Sequence, residues 1–134
     1  MGKRILIVDD EKAIRWSLGE ALTAAGYEIE EAQNAVDGVK KFEDDPPDGV
    51  VLDLKLPDGD GISVLRRMKE IDQDVPVVMM TAYGEIETAV EAIRGGAYDF
   101  IQKPFQLEKM KISIRNALES SSMRPELDDL RSGE

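Results

Sequence analysis

Hydrophobic positions along this chain follow two alternating rhythms. Ile5-Leu6-Ile7-Val8, Val50-Val51-Leu52 and Pro76 to Met80 are short, continuously apolar runs of the kind that form strands buried on both faces. Tyr27 to Ala32 alternates weakly and Ala97 to Gln102 is short; both are predicted as strands as well. After each strand, apolar residues recur at helical spacing. Ile14, Leu18, Ala21, Leu22 and Ala25 form a first helix stopped by Gly26, and Asn34 is the N-cap of a second running through Phe42. Ile62, Leu65, Met68 and Ile71 mark a third helix. Ile86, Ala89, Val90 and Ile93 mark a fourth, closed by Gly95-Gly96, and Leu107, Met110, Ile114, Ala117 and Leu118 a fifth. Strand and helix alternate five times over short connections, which predicts an α/β fold: a doubly wound, five-stranded parallel sheet covered by five helices. Residues 1–119 carry that domain. Residues 120–134, with Ser120-Ser121-Ser122 and Pro125 and little apolar content, read as a linker or flexible C-terminal tail.

The polar residues at the ends of the runs add chemistry to this scaffold. The first strand stops on Asp9-Asp10-Glu11, the third on Asp53, the fourth on Thr81 and the fifth on Lys103. Two turn signals, Leu56-Pro57-Asp58-Gly59 and Asp60-Gly61, follow Asp53 at once and force the central strand to end there. In a doubly wound sheet all carboxyl ends open on one edge, where such folds bind ligands. Each residue alone is explained as well by a solvated strand end or a local turn. Three carboxylates, a hydroxyl and an ammonium on one edge are not.

Composition narrows what that edge can do. The chain has 134 residues, 42% of them hydrophobic, enough for one domain with a proper core. It contains no Cys and no His, which removes disulfides, thiol chemistry, the usual general base and every Ser-His-Asp arrangement. Acidic residues outnumber basic ones 28 to 17, a net charge of −11, which argues against direct binding of nucleic acid or of an anionic membrane. No apolar stretch approaches a membrane span and no signal-peptide core is present at the N-terminus, so the expected location is the cytoplasm. No Gly-rich phosphate loop follows a strand, which argues against a nucleotide site.

Clustered carboxylates need a cation. Two unit charges about 4 Å apart repel by roughly 4 kcal/mol at an effective dielectric near 20. Lys103 supplies one positive charge, and a hard divalent ion is the natural second. All candidate ligands are oxygens, which selects Mg²⁺, Mn²⁺ or Ca²⁺ over zinc, and few protein ligands with open positions suit Mg²⁺. An aspartate beside such an ion and a lysine is a competent nucleophile towards phosphorus, giving an aspartyl phosphate.

Asp9-Asp10, Asp53, Thr81-Ala82 and Lys103-Pro104, in that order across five β/α units, resemble the receiver domain of two-component response regulators over about residues 3–119. The resemblance implies a flavodoxin-like strand order of 2-1-3-4-5 and a phosphorylation-activated switch rather than a metabolic enzyme. It implies Asp53 as phosphoacceptor, a Mg²⁺ ion held by Asp10, Asp53 and the backbone carbonyl of Lys55 with Asp9 assisting through water, and Lys103 facing the phosphoryl group. It further implies a cis Lys103-Pro104 bond and a sensor histidine kinase as phosphodonor. Thr81 and Phe100 would be the switch pair, with Tyr98 a weaker candidate. Relatives often carry Tyr where Phe100 stands, so the phenolic hydrogen bond is missing here.

The surface that would respond spans the fourth helix, the fifth strand and the fifth helix, Glu85 to Leu118. It, or a linker continuing the fifth helix, would form a homodimer. Thr81-Ala82-Tyr83-Gly84 and Gly96 to Phe105 are similar to receivers of the nitrogen-regulation type. Those are usually followed by AAA+ and DNA-binding effector domains that control transcription with an alternative sigma factor. Tyr83 and Lys55 would influence how fast the phosphate is lost. Two rivals stand beside this reading: a phosphohydrolase of the haloacid dehalogenase type, disfavoured because Asp53 is followed by Leu54-Lys55 rather than an Asp-x-Asp pattern, and a degenerate receiver that only docks partners.

Overall fold

A computed structural model describes residues 2–82 and 86–132, with side chains through Ser121. Its elements are β1 (Arg4–Val8), α1 (Lys12–Ala24), β2 (Glu28–Ala32), α2 (Ala35–Asp44), β3 (Gly49–Asp53), β4 (Lys55–Leu56), β5 (Gly59–Asp60), α3 (Gly61–Ile71), β6 (Val77–Thr81), α4 (Ile86–Arg94), β7 (Asp99–Gln102) and α5 (Leu107–Ser132). The main sheet is parallel in the order β2-β1-β3-β6-β7. This is the expected 2-1-3-4-5 once β4 and β5, a two-residue antiparallel ribbon, are set aside.

The continuously apolar strands follow from two cores. Along each strand, alternate side chains point to opposite faces. Leu6, Val8, Val50, Leu52, Val77 and Met79 join Phe42 of α2, Leu65 and Met68 of α3 and Ala92 of α4 in one buried cluster. Ile5, Ile7, Val51, Val78, Met80 and Ile101 join Leu18 and Leu22 of α1 and Met110, Ile114 and Ala117 of α5 in the other. The helices are therefore divided three to one face and two to the other. Only a sheet covered on both sides needs strands with no polar position.

Two features go beyond the sequence expectation. The tail expected from 120 onward is helical: α5 is continuous to Ser132. Nothing from Gln106 to Ser132 is glycine, and Glu119, Met123, Arg124, Glu126 and Leu127 are good helix formers that outweigh the serines and the single Pro125. The ribbon β4–β5 was not expected at all, because a pairing of two residues with two leaves no periodicity to read. Elsewhere the local signals hold. The Asn34 side chain accepts from the Asp37 N–H at 2.7 Å, capping α2, and Gly26, at φ 100°, ends α1 in the left-handed region where a Cβ would be strained.

Candidate functional site

Each functional side chain is delivered by the end of a strand. Val8, the last residue of β1, pairs with Leu52 of β3, so Asp9 and Asp53 leave adjacent strands side by side. Asp53 pairs with Met80 on its other flank, placing Thr81 one residue further on. Thr81 pairs with Gln102 of β7, and Lys103 follows. The Thr81 carbonyl accepts from the Lys103 N–H at 2.6 Å, tying the last two members together. The Lys103–Pro104 peptide bond is cis.

Asp9 is fully buried, Asp53 is 5% exposed and Thr81 1%, whereas Asp10 faces solvent. One carboxylate oxygen each from Asp9, Asp10 and Asp53 lies within 4.8 Å of the others. The Lys103 ammonium is 2.8 Å from Asp9 Oδ2, 3.3 Å from Asp53 Oδ2 and 3.4 Å from Glu11 Oε1. One cation thus serves several acids. Burial and the nearby Asp9 charge push the Asp53 carboxyl up from about 3.8 to about 6, against the opposing pull of Lys103 and of the Lys55 N–H. Burial works against the Lys103 ammonium, but its hydrogen bond to Asp9 and the Asp53 charge prevail and hold its pKa above the ordinary lysine value.

The loop after Asp53 is held at several points. The Lys55 N–H hydrogen-bonds the Asp53 carboxylate. Gly61 donates to the Leu54 carbonyl at 2.6 Å, and a Cβ there would lie 2.4 Å from the Asp53 carbonyl oxygen, so only glycine fits. The Asp60 side chain caps α3 by accepting from Ser63 N–H at 2.8 Å. Asp58, at the tip of the β4–β5 ribbon, accepts from the Ala35 and Val36 N–H groups at 2.7 and 3.0 Å.

The residues expected from the sequence, Asp9, Asp10, Asp53, Thr81 and Lys103, do meet on one edge. Phe100 is half-buried against the cluster under α2–α4, while Tyr98 is 43% exposed. Tyr83, expected to influence phosphate lifetime, lies outside the described residues, as do Gly84 and Glu85. Three participants were missed. Glu11 reaches Lys103 and donates its N–H to Asp9 Oδ1 at 2.8 Å, and Arg15 Nη1 donates to the Asp9 carbonyl at 2.7 Å. Asp58 is the third. The Asp60-Gly-Ile-Ser63 spacing is a readable N-cap signal; Asp58 has none, because its partners lie 22 and 23 residues earlier.

The donor set is all oxygen, and the chain has no His or Cys to compete, so the site fits a hard divalent cation. Among the described residues no helix is long and apolar enough to cross a membrane.

Comparison with known proteins gives a consistent result. The family model for the response regulator receiver domain matches residues 5–115. The chain is 42% identical to regulatory protein AtoC of Escherichia coli over 127 residues, covering 95% of this chain and 28% of AtoC. It is 38% identical to chemotaxis protein CheY of Bacillus subtilis over 119 residues, covering 88% of this chain and 99% of CheY. The crystal structure of NtrX from Brucella abortus superposes with a TM-score of 0.91 at 41% identity, covering 98% of this chain and 30% of that one.

Proposed function

Because the chain belongs to the response regulator receiver family, the phosphorylation-activated switches of two-component systems, we propose that Asp53 is its phosphoacceptor. In this reading Asp10, Asp53 and the Lys55 carbonyl would hold Mg²⁺, and Asp9 would assist through water. The observation that carries it is the Lys103 ammonium lying against both Asp9 and Asp53 in a cluster whose three carboxylates approach within 4.8 Å. An Asp53 carboxylate oxygen attacks the phosphorus of a phosphohistidine on a sensor kinase. The phosphorus–nitrogen bond breaks, and the electron pair leaves with the imidazole. Lys103 stays beside the incoming phosphoryl oxygens and offsets their charge. Bound Mg²⁺ would add neutralising charge at the same place.

The added group carries about −1.5 to −2 charges and three acceptor oxygens. The Thr81 hydroxyl, at the end of the neighbouring strand, turns towards them, and Phe100 rotates into the space it leaves. The readout is the face of α4, β7 and α5, where Val90, Ile93, Tyr98 and Ile112 are exposed apolar side chains suited to a homodimer or an effector contact. Residues 1–119 act as the receiver proper and 120–134 as a linker to AAA+ and DNA-binding effectors of the nitrogen-regulation type. The similarity to AtoC and NtrX supports this. The protein works in the cytoplasm and catalyses only its own phosphorylation and dephosphorylation.

Acetyl phosphate with Mg²⁺, followed by intact mass, tests this. A single phosphoryl adduct, absent in Asp53→Asn, is expected. No adduct would leave a docking scaffold, and turnover of exogenous phosphoesters would indicate a hydrolase instead.

A further inference from the structure

The ribbon β4–β5 joins the acidic pocket to a helix that contributes no ligand to it. Lys55, whose N–H holds the Asp53 carboxylate, pairs across the ribbon with Asp60. Asp60 anchors that side of the ribbon to α3 through Ser63, both by the N–H at 2.8 Å and by the hydroxyl at 3.1 Å. At the tip, Asp58 closes on the first two N–H groups of α2 at 2.7 and 3.0 Å. Those donors have no partner within their own helix, and the positive end of the helix dipole favours a carboxylate there. The Val36 and Ala35 N–H groups accordingly hold the Asp58 carboxyl below the usual range, although the residue is exposed. Gly59 rests against the same helix start, 3.6 Å being the gap a Cβ there would leave to the Ala35 methyl. The ribbon is therefore fixed at two points, with Lys55 between the phosphoacceptor and the tip.

We propose that Asp58 is a positioning residue for the acidic pocket: by latching the ribbon to the N-terminus of α2, it fixes the Lys55 backbone against Asp53 and so sets the divalent-cation affinity of the site. The proposal rests on the Mg²⁺ reading given above. Asn34 supplies a comparison at the same helix end, because its side chain accepts from the Asp37 N–H, a donor that Asp58 does not use.

The test is Mg²⁺ titration by calorimetry with the full 134-residue chain, paired with amide hydrogen exchange. Asp58→Ala is expected to weaken Mg²⁺ binding by about three- to tenfold, less than is typical for partners that touch a ligand directly. Amide exchange at Lys55, Ala35 and Val36 should speed up with it. Asp58→Asn, which keeps one acceptor oxygen, should fall between. Asn34→Ala should speed exchange at Asp37 and leave the Mg²⁺ affinity within about twofold of wild type, since Asp58 still holds the Ala35 and Val36 N–H groups. An unchanged affinity in Asp58→Ala, or an equal loss in Asn34→Ala, overturns the positioning role. Failure of the wild-type chain to bind Mg²⁺ overturns the metal reading itself.

Discussion

Replacing Asp53 by Asn should stabilise the metal-free protein, and by an amount that depends on pH. Burial and Asp9 raise the Asp53 carboxyl from 3.8 to about 6. Unfolded, the same group titrates at its ordinary value. Between the two values the folded state binds more protons than the unfolded state, so stability falls as pH rises, and above about 6 the whole penalty is present. A gap of roughly two pH units corresponds to about 3 kcal/mol. That figure already contains the opposing pull of Lys103, and it is a ceiling because solvent at the open edge screens part of the penalty. Lys103 stays protonated throughout this range, since its pKa lies above the ordinary lysine value. The net expectation at pH of about 7.5 is a gain of roughly 1–2 kcal/mol for Asp53→Asn, shrinking to about a third of that by pH of about 4.5. Urea denaturation followed by circular dichroism, in chelator, measures it. Saturating Mg²⁺ should then reverse the order, because only wild type gains the full binding energy, about 2.7 kcal/mol at a hundred times Kd. A variant less stable than wild type at about pH 7.5, or a gain that persists unchanged at about 4.5, would refute the electrostatic reasoning.

Two further substitutions probe the same edge. Gly61→Ala would put a Cβ 2.4 Å from the Asp53 carbonyl oxygen and 2.8 Å from the Leu54 Cα; a cost of about 2–4 kcal/mol in urea denaturation is expected, with weaker Mg²⁺ binding. Lys103→Ala leaves Asp9 and Asp53 without their shared cation; it should destabilise by about 2–4 kcal/mol at neutral pH, and less towards pH 5 as Asp53 takes up a proton. The carboxyl carbon resonance of Asp53, followed by NMR, should then titrate above 6.

What could be read from the chain alone was whatever is written locally. Continuous apolarity at Ile5–Val8 and Pro76–Met80 signals strands with two buried faces, and the two clusters divided by the sheet are the cause. Asn34 announced its own cap. Asp53 stood out because turn residues follow it directly. The features not foreseen depend on partners far away in sequence. Glu11 meets Lys103 across 92 residues, and Asp58 meets α2 across 22 and 23. A ribbon of two residues against two carries no rhythm. The continuation of α5 was obscured because three serines and a proline look like punctuation, although helix formers around them keep the turn going.

The Lys103–Asp9 contact spans 94 positions, nearly the whole length of the domain. During synthesis the N-terminal acids emerge long before the lysine that balances them, and β7 must dock beside β6 before that lysine arrives. A chain that has not yet added β7 therefore carries an acidic pocket without the cation that balances Asp9 and Asp53.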